Sequence, residues 1–88
     1  MTTATNTKRQ GPRNIGTDNA SLTAEPNKFR AVIWMHSEPY KVGDDWPTKE
    51  EAMIAISLEA ENLRTHFGIQ IYDDKCNPLV NNDGTWRE

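Results

Sequence analysis

Thr48-Lys-Glu-Glu-Ala-Met-Ile-Ala-Ile-Ser-Leu-Glu-Ala-Glu-Asn-Leu-Arg-Thr-His-Phe-Gly68 is the segment on which the fold turns. It opens on a capping box, in which the Thr48 hydroxyl and the Glu51 carboxylate satisfy each other's exposed backbone N–H groups at a helix start. A helix over Lys49–Phe67 is expected, stopped by Gly68, a residue type common just past a helix C-terminus. At about 100° per residue, Ala52, Met53, Ile56, Ala60, Leu63 and Phe67 fall on one stripe, with Ala55 at its edge. That stripe should pack on a sheet. Ile54 and Leu58 point the other way and are four residues apart, so they neighbour each other on the outer face.

The segments flanking the helix supply the sheet. Phe29-Arg-Ala-Val-Ile-Trp-Met35 is β-branched and aromatic, the composition of a strand. Alternation gives it one wholly apolar face, Phe29/Ala31/Ile33/Met35, and one mixed face, Arg30/Val32/Trp34. His36-Ser-Glu-Pro39 reads as a turn into a short return strand, Tyr40-Lys-Val-Gly43. After the helix, Ile69-Gln-Ile-Tyr72 resumes strand character, Asp73–Pro78 turns, and Leu79-Val80 offers a short last strand. A further turn at Asn81–Gly84 leaves Trp86 near a loose C-terminus. The expected fold class is α+β: a single-layer sheet of three to four strands, ββαβ or ββαββ, packed on one helix.

The remaining residues bound this picture. Residues 1–27 are rich in Thr, Asn, Gly and Ala, and only Met1, Ile15 and Leu22 are large and apolar. Such a segment cannot offset the entropy of ordering, so residues 1–27 read as a disordered tail and 28–88 as the domain. A domain of about 60 residues buries only about 60% of its unfolded surface, which leaves little room for a deep active site. The chain's net charge is −3. It divides into +1 over residues 1–27 and −4 over 28–88, where seven basic side chains face eleven acidic ones. An acidic globule repels phosphate backbones, so nucleic acid is disfavoured as a partner. Cys76 is the only cysteine, which excludes an intramolecular disulfide and fits a reducing compartment. No apolar run is long enough for a membrane span and the N-terminus has no signal-peptide core, so the cytoplasm is the default.

Three features could carry function. Asp44/Asp45 follow the second expected strand and Asp73/Asp74 follow the third. If a helical crossover makes those strands parallel, all four carboxylates gather at one end of the sheet. Hard divalent cations bind carboxylate oxygen, although Asp is also a standard turn and capping residue. Ile54 and Leu58, rimmed by Glu50, Glu61 and Arg64, have the apolar-centre, charged-rim layout of a small interface. Trp34 lies on a sheet face that a single helix leaves open, whereas Trp46 anchors the loop before the helix.

Catalysis finds little footing. His36 and His66 lack a nucleophile and an orienting acid, Cys76 follows two acids that blunt its reactivity, and no phosphate-binding glycine motif is present. No catalytic residue and no cofactor is expected. The leading expectation is a non-enzymatic interaction or regulatory module, engaging a protein partner or a second copy through Ile54 and Leu58 or through the open sheet face near Trp34. The alternatives are a divalent-metal or small-ligand protein using Asp44, Asp45, Asp73 and Asp74, and an acidic nucleic-acid mimic seated in a basic protein groove.

Overall fold

Strand β2 (Arg30–Met35) is an inner strand of the sheet, paired along its whole length by neighbours on its two edges. The computed structural model describes residues 12–87, in the order β1 (Arg13–Asn14), α1 (Asn19–Leu22), β2, β3 (Glu38–Lys41), α2 (Lys49–Ala60) and β4 (Gly68–Tyr72). The sheet runs β1-β3-β2-β4, every neighbouring pair antiparallel, with α2 packed on one face. The expected α+β class, a four-stranded sheet on one helix, is what the chain builds.

β2 and β3 form a hairpin around His36 and Ser37, whose φ angles of 54° and 66° are the left-handed pair of a tight two-residue turn. The turn is shorter than the composition suggests, and Pro39 belongs to β3. A proline fits there because it stands opposite Trp34 in a pair that exchanges no backbone bonds, while its carbonyl accepts from the Ile15 N–H at 3.1 Å.

Helix α2 begins where expected, with half of the capping box: the Thr48 hydroxyl accepts the Glu51 N–H at 3.1 Å, but the Glu51 carboxylate does not return a bond to the Thr48 N–H. It ends at Ala60, seven residues before Phe67. Asn62, Thr65 and His66 are weak helix formers, and Gly68 is drawn into β4 opposite Trp34 rather than serving as a cap. The first turns of the stripe hold: Ala52 and Ile56 are buried against Ala31, Ile33, Val42, Ile71 and Val80, with Met53, Ala55 and Leu63 at the margin. Phe67 is off the helix and exposed. Fully burying side chains such as Ile33, Ile56 and Ile71 stabilises by about 1.5–3 kcal/mol each.

The fourth strand comes from the N-terminal side, not from Leu79-Val80. Residues 12–27, expected to be disordered, lie along β3 and across the sheet face opposite α2; the same expectation for residues 1–11 falls outside the described residues. Two short apolar anchors, Leu22 and Ala24, are buried, and Val32 and Pro39 on the face away from the helix are buried as well. Composition missed this arm because its order rests on few residues and on hydrogen bonds to distant ones: Arg30 Nη1 to the Ser21 carbonyl, and the Ala24 N–H to the Asp73 carbonyl.

Leu79-Val80 still docks beside β4. The Leu79 N–H reaches the Ile71 carbonyl, and the Gln70 amide brackets Val80 by accepting its N–H and donating to its carbonyl. Trp86 is not loose: it bridges to Val80 and packs on the core, with the Lys49 ammonium 4.8 Å from its ring centre. No helix among the described residues is long and apolar enough to cross a membrane.

Candidate partner-binding surface

Ile54 and Leu58 emerge on the outer face of α2, 59% and 61% exposed. The same turns that sink Ala52 and Ile56 into the core force these two outward, since the sets lie on opposite sides of one helix. With Trp46, Glu51 and Ala55 they line a shallow groove of about 190 Å³. Trp46 is the member that sequence reading assigned to structure alone.

Trp46 is held rigidly. Its backbone exchanges two hydrogen bonds with Phe29, at 2.7 and 2.8 Å, and its indole N–H donates to the Val42 carbonyl at 3.1 Å. Gly43, at φ +67°, lets the ring lie flat on the chain, because a Cβ there would stand 2.7 Å from Trp46 Cζ2. The groove's wall is therefore in place before anything binds, which lowers the ordering cost of association. Spacing of three or four residues puts Glu50, Glu51 and Glu61 around Ile54 and Leu58. All three are exposed. Arg64, expected in the same rim, lies beyond the end of the helix, so the helical rim is acidic.

The other two candidates are placed differently. β3 and β4 are each antiparallel to β2, so they share a direction, but β2 lies between them. The four aspartates do follow strands that end on the same side, yet no group of three or more His, Cys, Asp or Glu residues close enough for a metal ion occurs among the described residues. Asp45 is buried and holds Arg30 through two bonds, Nε–Oδ1 at 2.8 Å and Nη2–Oδ2 at 2.9 Å, while accepting the Glu25 N–H at 2.7 Å. Burial pushes its pKa up, but the Arg30 and Glu25 hydrogen bonds and the charges of Arg30 and Lys41 outweigh that, and the net shift is downward. Asp73 accepts the Lys75 and Asn77 N–H groups in a turn. Its pKa is also lowered, burial being overcome by those bonds and by Lys75. Asp74 accepts the Asn27 N–H, and Asp44 alone stands exposed.

Trp34 lies on the sheet face away from α2. It is half-buried, on the face that residues 12–27 share, beside Tyr72. Burial raises the Tyr72 phenol's pKa, with the Trp34 indole pulling the other way and Cys76 adding to the rise. The two candidate surfaces stay separate: Ile54 and Leu58 share a groove with Trp46, and Trp34 lies on the other side of the sheet. An exposed apolar pair was legible from helical spacing; the indole beside it was not, because loop residues have no period. No protein-family model, no curated protein and no solved structure matches this chain.

Proposed function

We propose that this protein is a non-enzymatic interaction module that docks a segment of another protein on the outer face of α2. The observation that carries this reading is the pairing of exposed Ile54 and Leu58 with a fixed Trp46 in one groove. Apolar side chains with an aromatic wall form the centre of small interfaces, and aromatic anchors dominate their energetics.

The rim defines the partner. Glu50, Glu51 and Glu61 favour an apolar anchor flanked by Lys or Arg, in an amphipathic helix or a short peptide. A symmetric dimer through the same face would set this acidic rim against its own copy, and like charges across an interface oppose association. A basic partner is therefore favoured over self-association. A metal-binding reading gains nothing here, since Asp45, Asp73 and Asp74 are already committed to donors within the fold.

The test is selection of a random peptide library displayed on phage against the wild-type protein, with the Ile54→Glu/Leu58→Glu variant as counter-target. Peptides combining a large apolar residue with flanking Lys or Arg should be enriched on wild type and lost on the variant. Enrichment that ignores the substitutions, or none at all, overturns the reading. The groove is shallow, so affinities in the micromolar range, about −8 kcal/mol, are expected.

A further inference from the structure

A second concavity lies on the opposite side of the molecule, and its chemistry is the reverse of the groove's. It is an open cleft of about 290 Å³ between the N-terminal arm and the sheet, and its walls are Arg13, Asn14, Ile15, Ser21, Arg30 and Lys41. Register explains the gathering of charge. Arg13 pairs with Lys41 and Lys41 with Val32, so Arg13 and Lys41 share the face away from α2, with Arg30 two residues from Val32 on the same side. Three cations thus converge in a domain whose net charge is negative.

One carboxylate answers them. Asp45 is fully engaged: Oδ1 takes Arg30 Nε and lies 3.6 Å from Lys41 Nζ, and Oδ2 takes Arg30 Nη2 and the Glu25 N–H. The lining residues themselves carry three positive charges and no negative one, and Asp45 contacts two of the three. Arg13 has no ion-pair partner, and the Lys41 ammonium makes no hydrogen bond, among the described residues. Arg30 Nη1 donates to the Ser21 carbonyl at 2.6 Å and keeps a second N–H. Two acids stand nearby but line no wall: Asp18 accepts the Ser21 hydroxyl, and Glu38 accepts the Asn14 amide.

We propose that this cleft is a binding site for a phosphate dianion, free or as a small monoester, held by Arg13, Lys41 and the free edge of Arg30. Facing Arg13, Arg30 and Lys41, a doubly charged phosphate gains more attraction than a singly charged carboxylate does. Guanidinium groups offer the forked donors that a tetrahedral oxyanion accepts, and lysine adds a point charge. Ile15 supplies an apolar wall for the carbon group of an ester. The volume is at the lower edge of small-molecule sites and accommodates phosphate with a short substituent. This site is independent of the groove on α2.

The experiment is an amide-shift titration of the full chain at pH 8, at constant ionic strength in chloride, with inorganic phosphate, glycerol phosphate and acetate as separate ligands. Saturable shifts at Arg13, Asn14, Ser21 and Lys41 are expected for the two phosphates and not for acetate. The ratio of their affinities tells whether the ion is taken free or esterified. Arg13 is exposed, so Arg13→Gln should leave the fold intact and weaken binding about tenfold, the scale of one charge-assisted hydrogen bond. Lys75→Gln, which removes a cation outside the cleft, should change nothing. Shifts that fail to saturate, acetate binding as tight as phosphate, or an Arg13→Gln variant that binds like wild type would each overturn the proposal.

Discussion

The two faces of the sheet are closed by different physics. On the α2 side, Ala31, Ile33, Val42, Ile71, Ala52, Ile56 and Val80 meet with no charged group among them. On the arm side, Leu22, Ala24, Val32 and Pro39 are buried, but the arm is fastened by Arg30, which grips the Ser21 carbonyl with one hand and Asp45 with the other. The first face is non-directional and tolerant of small changes. The second depends on a few oriented bonds in a partly dry setting, where breaking one partner strands the other.

Asp45→Ala is therefore expected to be the most damaging single change. It leaves Arg30 and Lys41 without their carboxylate and should cost about 3–5 kcal/mol. Replacing both charges, as Arg30→Met with Asp45→Leu, should cost far less, because no charge is left unpaired. Chemical denaturation of both variants checks this; equal losses would show that the clip acts through packing rather than charge. Amide exchange at Thr23 and Ala24 should quicken first in Asp45→Ala if the arm releases before the core.

Ile56→Ala tests the other face. It should cost about 2–5 kcal/mol and lower the stability of the whole sheet, without selective release of the arm. A variant in which the arm's amides alone lose protection would break the contrast.

Acid sharpens it further. Asp45 ionises more readily in the folded chain than in the unfolded one, as its pKa is lowered. Its contribution is complete above the unfolded value, about pH 4, and is lost as pH falls through the depressed folded value. Asp73, lowered in the same sense, adds to the loss. Denaturation midpoints should be flat from neutrality down to about pH 5 and then fall, and the Arg30→Met/Asp45→Leu variant should fall less steeply.

Thr48→Ala removes the cap of α2 and is expected to cost about 1 kcal/mol, seen as a small drop in melting temperature. Smallest of all, Ile54→Glu with Leu58→Glu should stay within about 0.5 kcal/mol of wild type, because both side chains are exposed. A large destabilisation there would place Ile54 and Leu58 in the fold's own packing and remove the basis for a docking surface.

Residues whose signal is periodic or local were legible in the chain. Thr48 with Glu51 marked a helix start, Ala31 and Ile33 alternated with Val32 and Trp34, and Ile54 and Leu58 fell outside the core stripe by angle alone. The early end of α2 was not legible, because the pairing of Gly68 with Trp34 competes with helical continuation and is a contact 34 residues apart. The arm was hidden for a related reason. Its attachment rests on Asp45, whose sequence context of Gly43-Asp44-Asp45 reads as a turn and gives no hint of a buried ion pair.

Order within the candidate sites follows the same division. Sequence by itself determined that one helix, begun at Thr48, covers a small sheet and that two aliphatic side chains point away from it, since helical and strand periods are properties of the local chain. Only the tertiary structure decided that Trp46 joins those two, that Trp34 is half-buried on the other face, and that Arg13, Arg30 and Lys41 meet. Each of these depends on which strands become neighbours, and that choice is made by the summed burial and hydrogen bonding of residues far apart along the chain.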